Sequence, residues 1–256
     1  MLRTVVATRY VTPLREGGSV PALVEADDDG LYVLKFRGAG QGPRALVAEL
    51  IAGELARAIG LPVPELVFVE LDPALGAAEP DPELQVPIRR SAGRNIGLDF
   101  LPGSLTVNPA VSPPDPDTAA DIVWFDGLVT NPDRTAKNPN LLLWHGRTWL
   151  IDHGASLFVH HTWRDPAAHA RRPFEPLRDH VLRPFASSLA AADERLAPVV
   201  TRGLVAPIVA QVPDEWLPDD LSVGGPAAQR QAYVDYLMRR VEAPRPWVEE
   251  AGDAVA

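Results

Sequence analysis

The residues best equipped for chemistry lie in one stretch, NPDRTAKNPNLLLWHGRTWLIDHG, running from Asn131 to Gly154. It holds three of the chain's five asparagines and one of its two lysines. Leu141 to Trp144 and Thr148 to Ile151 have the length and composition of short strands, with His145-Gly146 as the turn between them. Antiparallel pairing about that turn sets Asn138 across from His153 and Asp152 across from Pro139. An amide oxygen and a carboxylate side by side at the open end of a hairpin are the hard-oxygen donors that magnesium prefers, with phosphate oxygens and water completing the octahedron. Asp133, in the loop entering the hairpin, is placed to accept or orient the proton of an attacking hydroxyl. The other reading of the same residues is a turn-rich loop with Asn and Asp as caps.

Lysine usage points to a second half of the same chemistry. The basic residues are overwhelmingly arginine, and only Lys35 and Lys137 are lysine. Where arginine replaces lysine so freely, a retained lysine marks a place that needs a compact ammonium on a flexible stem. Lys35 lies on a strand that follows a glycine break, Gly17-Gly18-Ser19, whose backbone N–H groups can approach phosphate because no side chain intervenes. Lys35 would meet the phosphates as a point charge. A simple hairpin loop is the competing reading of Gly17, Gly18 and Ser19. Lys137, between Asp133 and Asn138, is read either as a contact to the transferring phosphate or as an exposed loop lysine. Arg134 either neutralises nearby negative charge or pairs with an acid of the fold.

The elements that must hold these residues follow from the surrounding pattern. Strands are expected over Thr4 to Thr12, Val20 to Glu25 and Leu31 to Phe36, the last two joined by a hairpin turn at Asp28-Asp29-Gly30. A helix begins near Pro43 and stops at Gly60, with an apolar stripe through Val47, Leu50, Ile51, Leu55 and Ile59. Val63 to Leu71 reads as a further strand, and the acidic, proline-rich Asp72 to Pro87 as a surface loop. Phe100-Leu101-Pro102 reads as a hinge receiving an adenine ring, or as an ordinary exit from the core. Beyond a proline-rich stretch ending near Asp117, the chain reads as mainly helical, over Thr118 to Val129, Ala190 to Gln211 and Ala227 to Glu242.

Bulk properties narrow the classes. The net charge of −10 argues against a general nucleic-acid or membrane-surface binder, since both need basic patches. The absence of cysteine excludes disulfides and thiolate metal sites. His145, His153, His160 and His161 fit no common zinc spacing, and His153 reads as a cap on the loop after Asp152. Ser156 lacks the G-x-S-x-G surroundings of a hydrolase nucleophile. MLRTVVATRY lacks a signal peptide's apolar core, so a cytoplasmic location is expected.

The run YVLKF, the helix ending LARAIGLPVPE, the N-x-D-R-x-x-K-N segment and L-I-D-H-G together resemble the HipA-like kinases, distant relatives of phosphoinositide kinases and protein kinases. The resemblance covers roughly residues 12 to 160. It implies an α+β, two-lobed protein-kinase-like fold, with an antiparallel β-rich N-lobe over 1–103 and a mainly helical C-lobe over 104–256. It implies a magnesium-dependent transfer of the ATP γ-phosphoryl group, often to serine or threonine of a protein. It makes Lys35 the phosphate-binding lysine, Asp133 the catalytic aspartate, and Asn138 and Asp152 the metal ligands. Glu49 becomes the helix glutamate that pairs with Lys35, although Glu54 lies nearer the apolar stripe and stays open as the partner. Some relatives phosphorylate themselves in the glycine loop, where this chain has Ser19. The family commonly has histidine two residues after the catalytic aspartate; this chain has Thr135.

Overall fold

A computed structural model describes residues 1–14, 20–40 and 42–252. The fold mixes strands and helices, with most strands in the first half and most helices in the second. Strands β1 (Thr4–Pro13), β2 (Ala22–Ala26), β3 (Leu31–Lys35), β4 (Leu66–Leu71) and β5 (Gly93–Asp99) close into a barrel in the order β1-β2-β3-β5-β4. All neighbours are antiparallel except β1 and β4, which close the barrel in parallel with Val5 opposite Val69. The β2–β3 hairpin turns at Asp28-Asp29-Gly30 as the sequence predicts, with Asp29 in the left-handed region at φ 61°.

Side-chain alternation gives the barrel two faces. Tyr32 and Leu34 of β3 point into a small core with Val24, Val67 and Val69. Lys35, Ile96 and Leu98 lie on the outer face, toward helix α1 (Pro43–Ala58). Gly97 is required where β5 passes the small core, because a Cβ there would lie 2.7 Å from Val69 Cγ2.

Some expectations for this half of the chain need correction. Asp72 to Pro87 is not a simple surface loop. Asp72 and Asp81 cap a 3-10 turn (Pro73–Ala78) and helix α2 (Pro82–Arg90), each with proline in its first turn, and Ile88 is buried. The strand β5 was not expected, since Gly93, Arg94, Asn95 and Gly97 are weak strand formers; its partners on both edges supply the pairing. The second and fourth strands are shorter than expected, starting at Ala22 and Leu66.

From β5 the chain runs through Phe100–Ser104 into β6 (Leu105–Thr106), which joins the hairpin β7 (Leu141–Trp144) and β8 (Arg147–Leu150) in a second sheet. Helix α3 (Pro116–Val129) precedes that hairpin, and α4 (Pro166–Ala170), α5 (Leu189–Leu196), α6 (Arg202–Val209), α7 (Pro226–Val241) and α8 (Pro246–Gly252) follow it. The stretch Ala190 to Gln211, expected as helical with proline interruptions, forms two helices, α5 and α6, the second restarted by the Thr201 cap. One hydrophobic core is continuous from α1 and the outer barrel face through α3 to α7. No described helix is long and apolar enough to cross a membrane.

Candidate active site

Lys35 ends β3 on the face covered by α1, and its ammonium joins two carboxylates. Its Nζ lies 2.5 Å from Glu49 Oε2 and 2.6 Å from Asp152 Oδ1. Burial works against the charged ammonium, but Asp152 and Glu49 outweigh it and hold the Lys35 pKa above the ordinary lysine range. Glu49 is fully buried on α1. Burial would raise its pKa, yet the Lys35 charge, followed by His153, brings it down to about 2.

The choice between Glu49 and Glu54 falls to Glu49. Both sides of α1 are covered, one by the barrel and the other by α6, so its polar positions are not all solvent-facing. Glu49 occupies the side turned to Lys35, whereas Glu54 is part-exposed and lies 3.3 Å from Arg57 Nε.

The hairpin carrying Asp152 has the register read from its turn, with Leu141 opposite Leu150 and Trp144 opposite Arg147. The pairing extends one step, Ile151 N–H donating to the Asn140 carbonyl at 3.1 Å, and then ends. Asn140 and Asp152 both turn to the left-handed region, at φ 49° and 55°, which breaks the ladder before Asn138 and His153 can pair. That turn aims the Asp152 carboxylate at Lys35. It also sends His153 inward rather than capping the loop. The His153 ring is buried, with Nδ1 3.5 Å from Glu49 Oε1 and its edge against Phe125.

Asp133 sits in the loop after α3, and its Oδ2 accepts hydrogen bonds from Asn138 Nδ2 at 2.8 Å and Asn140 Nδ2 at 3.2 Å. Its own N–H donates to Asn131 Oδ1 at 3.1 Å. All three asparagines of the loop therefore hold this one aspartate. Thr135, the departure from the family pattern, bonds through its backbone to Asn138 in both directions and shapes the turn.

Arg134 is buried, and it pairs with an acid of the fold. Its Nε donates to Asp126 Oδ2 of α3 at 2.5 Å, and its Nη1 donates to the carbonyls of Asn140 and Ile151. One guanidinium thus ties α3 to both strands of the hairpin. His180 adds a third tie: Nε2 lies 2.9 Å from Asp126 Oδ2, and Nδ1 accepts from Leu182 N–H at 3.1 Å. These bonds fix the tautomer with the proton on Nε2. Burial pushes the His180 pKa down, which keeps the ring neutral, despite the Asp126 carboxylate. Asp126 itself is desolvated, but Arg134 and His180 hold its pKa below the usual carboxylate range.

Asp126, His180, Asn131 and Asn140 were not singled out by sequence reasoning. A visible signal existed for two of them, since Asn131 and Asn140 belong to the cluster of scarce asparagines. Asp126 sits among apolar residues of α3, where an acid demands a partner.

The donors present fit a divalent cation. Lys35 carries one positive charge against the two carboxylates of Glu49 and Asp152. Asp152 Oδ2, Asn138 Oδ1 and Asp133 Oδ1 make no hydrogen bond among the described residues, leaving hard oxygens for a metal. The described residues contain no cluster of three or more His, Asp or Glu side chains able to hold a metal on their own.

The remaining expected positions are more dispersed. Leu101 is buried and Phe100 half-buried, with Phe100 N–H donating to the Leu31 carbonyl at 2.9 Å as the chain leaves the barrel. Lys137 is exposed at the loop tip. Gly17, Gly18 and Ser19 lie outside the described residues.

Comparison with known proteins bears on the fold and the family. The Helicobacter pylori proinflammatory kinase CtkA superposes with a TM-score of 0.56 at 10% identity, covering 98% of each chain. The Golgi casein kinase with Mn and ADP bound gives 0.57 at 12% identity, covering 99% of this chain and 75% of that one. A second structure of the Golgi casein kinase gives 0.54 at 13% identity. At such identities these likenesses show a kinase fold. No curated protein matches the sequence. The sequence matches the HipA-like kinase family over residues 8–250, nearly its whole length, and the chain belongs to that family.

Proposed function

We propose that the protein transfers the γ-phosphoryl group of ATP, with magnesium, to a serine or threonine hydroxyl of another protein. The observation that carries this reading is the meeting of Lys35 with Glu49 and Asp152, which come from β3, α1 and the turn after β8. The bound manganese and ADP of the Golgi casein kinase support nucleotide and divalent-metal use. In this reading residues 1–103 form an N-lobe and 104–256 a C-lobe, with Phe100 and Leu101 beside the adenine. Lys137 contacts the phosphates, and the segment with Gly17, Gly18 and Ser19 is assigned to phosphate binding by the sequence and its family resemblance alone. The protein works in the cytoplasm.

Lys35 grips the phosphates and is itself oriented by Glu49. Asn138 and Asp152 hold magnesium, which supplies positive charge against the phosphate oxygens. Asp133 orients the acceptor hydroxyl and takes its proton as the new oxygen–phosphorus bond forms. The bond from the γ-phosphorus to its bridging oxygen breaks, and ADP leaves. Because the phosphoryl group is loosely bonded at the transition state, positioning and charge stabilisation do most of the work.

Isothermal titration with Mg-ATP tests nucleotide binding, and radiolabel transfer tests the chemistry. Absence of binding at millimolar nucleotide would sink the proposal. Binding without transfer would instead indicate a nucleotide-sensing or docking module. Phosphoproteomics of cells expressing the wild type or Asp133→Asn identifies the acceptor, and an unchanged phosphoproteome would point to a small-molecule acceptor.

A further inference from the structure

Glu49 can serve Lys35 only while α1 stays where it is, and the helix does not hold its own first turn well. Its cap, Gly42, makes no side-chain capping bond, and the first turn has no acidic residue. The first turn is tied instead by Arg44. Its Nη2 lies 2.7 Å from Asp220 Oδ2, and its Nη1 donates to the His161 carbonyl at 3.1 Å.

Asp220 is a firm anchor. Its Oδ1 accepts from Ser222 N–H at 2.8 Å, and its backbone bridges Gly224. Buried Gln229 binds the same loop, donating to the Pro218 carbonyl at 2.6 Å and the Gly224 carbonyl at 2.9 Å. Just upstream, Trp216 is buried edge-on to Phe68 of β4, at 5.8 Å between ring centres, and donates to the Arg94 carbonyl. Residues 214–225 thus form a strap from the helical half across α1 to the barrel. The other Arg44 contact, His161, belongs to the segment that follows Asp152.

We propose that Arg44 and Asp220 are a positioning pair that holds α1 in the place where Glu49 meets Lys35. This rests on reading Lys35 and Glu49 as the phosphate-gripping pair. Arg44 and Glu49 are about 7.5 Å apart along the helix axis, so a shift of the first turn carries Glu49 with it. A hydrogen bond of 2.5 Å is lost when the carboxylate retreats by about 1 Å. Control of Lys35 then runs through the helical half of the molecule.

The two lysines of the chain allow a direct test. Brief labelling with acetic anhydride and mass spectrometry give the Lys35 to Lys137 ratio, with the exposed Lys137 as internal reference. Arg44→Gln and Asp220→Asn should each raise that ratio about fivefold, because the retreat of Glu49 uncovers the Lys35 amine to the reagent. Glu49→Gln marks the full loss, and Arg44→Lys should stay near the wild type. Arg171→Gln breaks the exposed ion pair with Glu242 and should leave the ratio unchanged. Asp220→Asn is isosteric and keeps the Ser222 bond, so it decides the matter if Arg44→Gln fails to fold. In transfer assays both variants should lower kcat about tenfold while KM for ATP changes less than about threefold. A wild-type ratio in folded Asp220→Asn overturns the proposal. If the wild type transfers no phosphate, the reading of the site fails, yet the labelling ratio still reports whether the pair positions Glu49.

Discussion

Lys35 and Lys137 show how much surroundings decide for one side chain. Lys35 is buried between two carboxylates, and Lys137 stands exposed at a loop tip. The scarcity of lysine drew attention to both, but only the fold separates them. Asp133 is the residue whose loss isolates the chemical step. Asp133→Asn keeps the shape and the neighbours of the loop, so Mg-ATP binding by calorimetry should survive. Transfer should fall by about 10²–10⁴-fold, the range for removing a general base. Glu49→Gln acts differently, since Lys35 keeps Asp152 and loses its orienting partner. Here kcat should fall about tenfold or more with KM for ATP little changed, as measured by steady-state transfer.

At the scale of elements, the hairpin β7–β8 was legible because a two-residue turn between apolar runs fixes its register. What the register did not reveal was its end. The left-handed turns at Asn140 and Asp152 go with contacts from outside the hairpin, Arg134 to the carbonyls of Asn140 and Ile151 and Lys35 to Asp152. Helix α1 was legible in its bounds, and the resemblance put Glu49 ahead of Glu54; the apolar stripe alone favoured Glu54, since cover on both sides cancels the amphipathic pattern. Strand β5 was hidden by glycine and polar residues that only its neighbours make extended.

The Asp126–Arg134 pair is the tie between α3 and this hairpin, and both side chains are fully buried. Arg134→Met leaves Asp126 with only the neutral side chains of His180 and Asn131 beside it. Removing one member of such a pair costs about 3–5 kcal/mol, which should appear as a Tm lowered by roughly 10 °C. The pH dependence has a definite sign. A carboxylate whose folded pKa is depressed contributes stability that is complete above the ordinary aspartate range. That contribution is lost as pH falls through the ordinary range toward the lower folded value. Below about pH 4 the wild type should therefore lose stability steeply, and Asp126→Asn, though less stable at neutral pH, should show a flatter acid limb in urea titrations.

For the whole molecule, the continuous core weighs against two independently melting halves. Leu50 and Leu55 of α1, Phe68 of β4, Trp124 of α3 and Trp216 of the strap belong to one buried cluster. A chain of 256 residues is large enough to populate intermediates, but intermediates need a boundary where few contacts cross. Here the strap and α6 cross it, with Trp216 reaching the barrel. Far-UV circular dichroism and tryptophan fluorescence should therefore give coincident melting curves. Trp216→Ala removes the largest side chain at that crossing. It should cost about 3–5 kcal/mol and, unlike a substitution within one half, should separate the two curves. Mg-ATP at about 100 times its dissociation constant should add about 2.7 kcal/mol and raise both wild-type curves together, because the candidate site draws its residues from both sides of the crossing. Curves already separated in the wild type would show that the shared core does not couple the two halves.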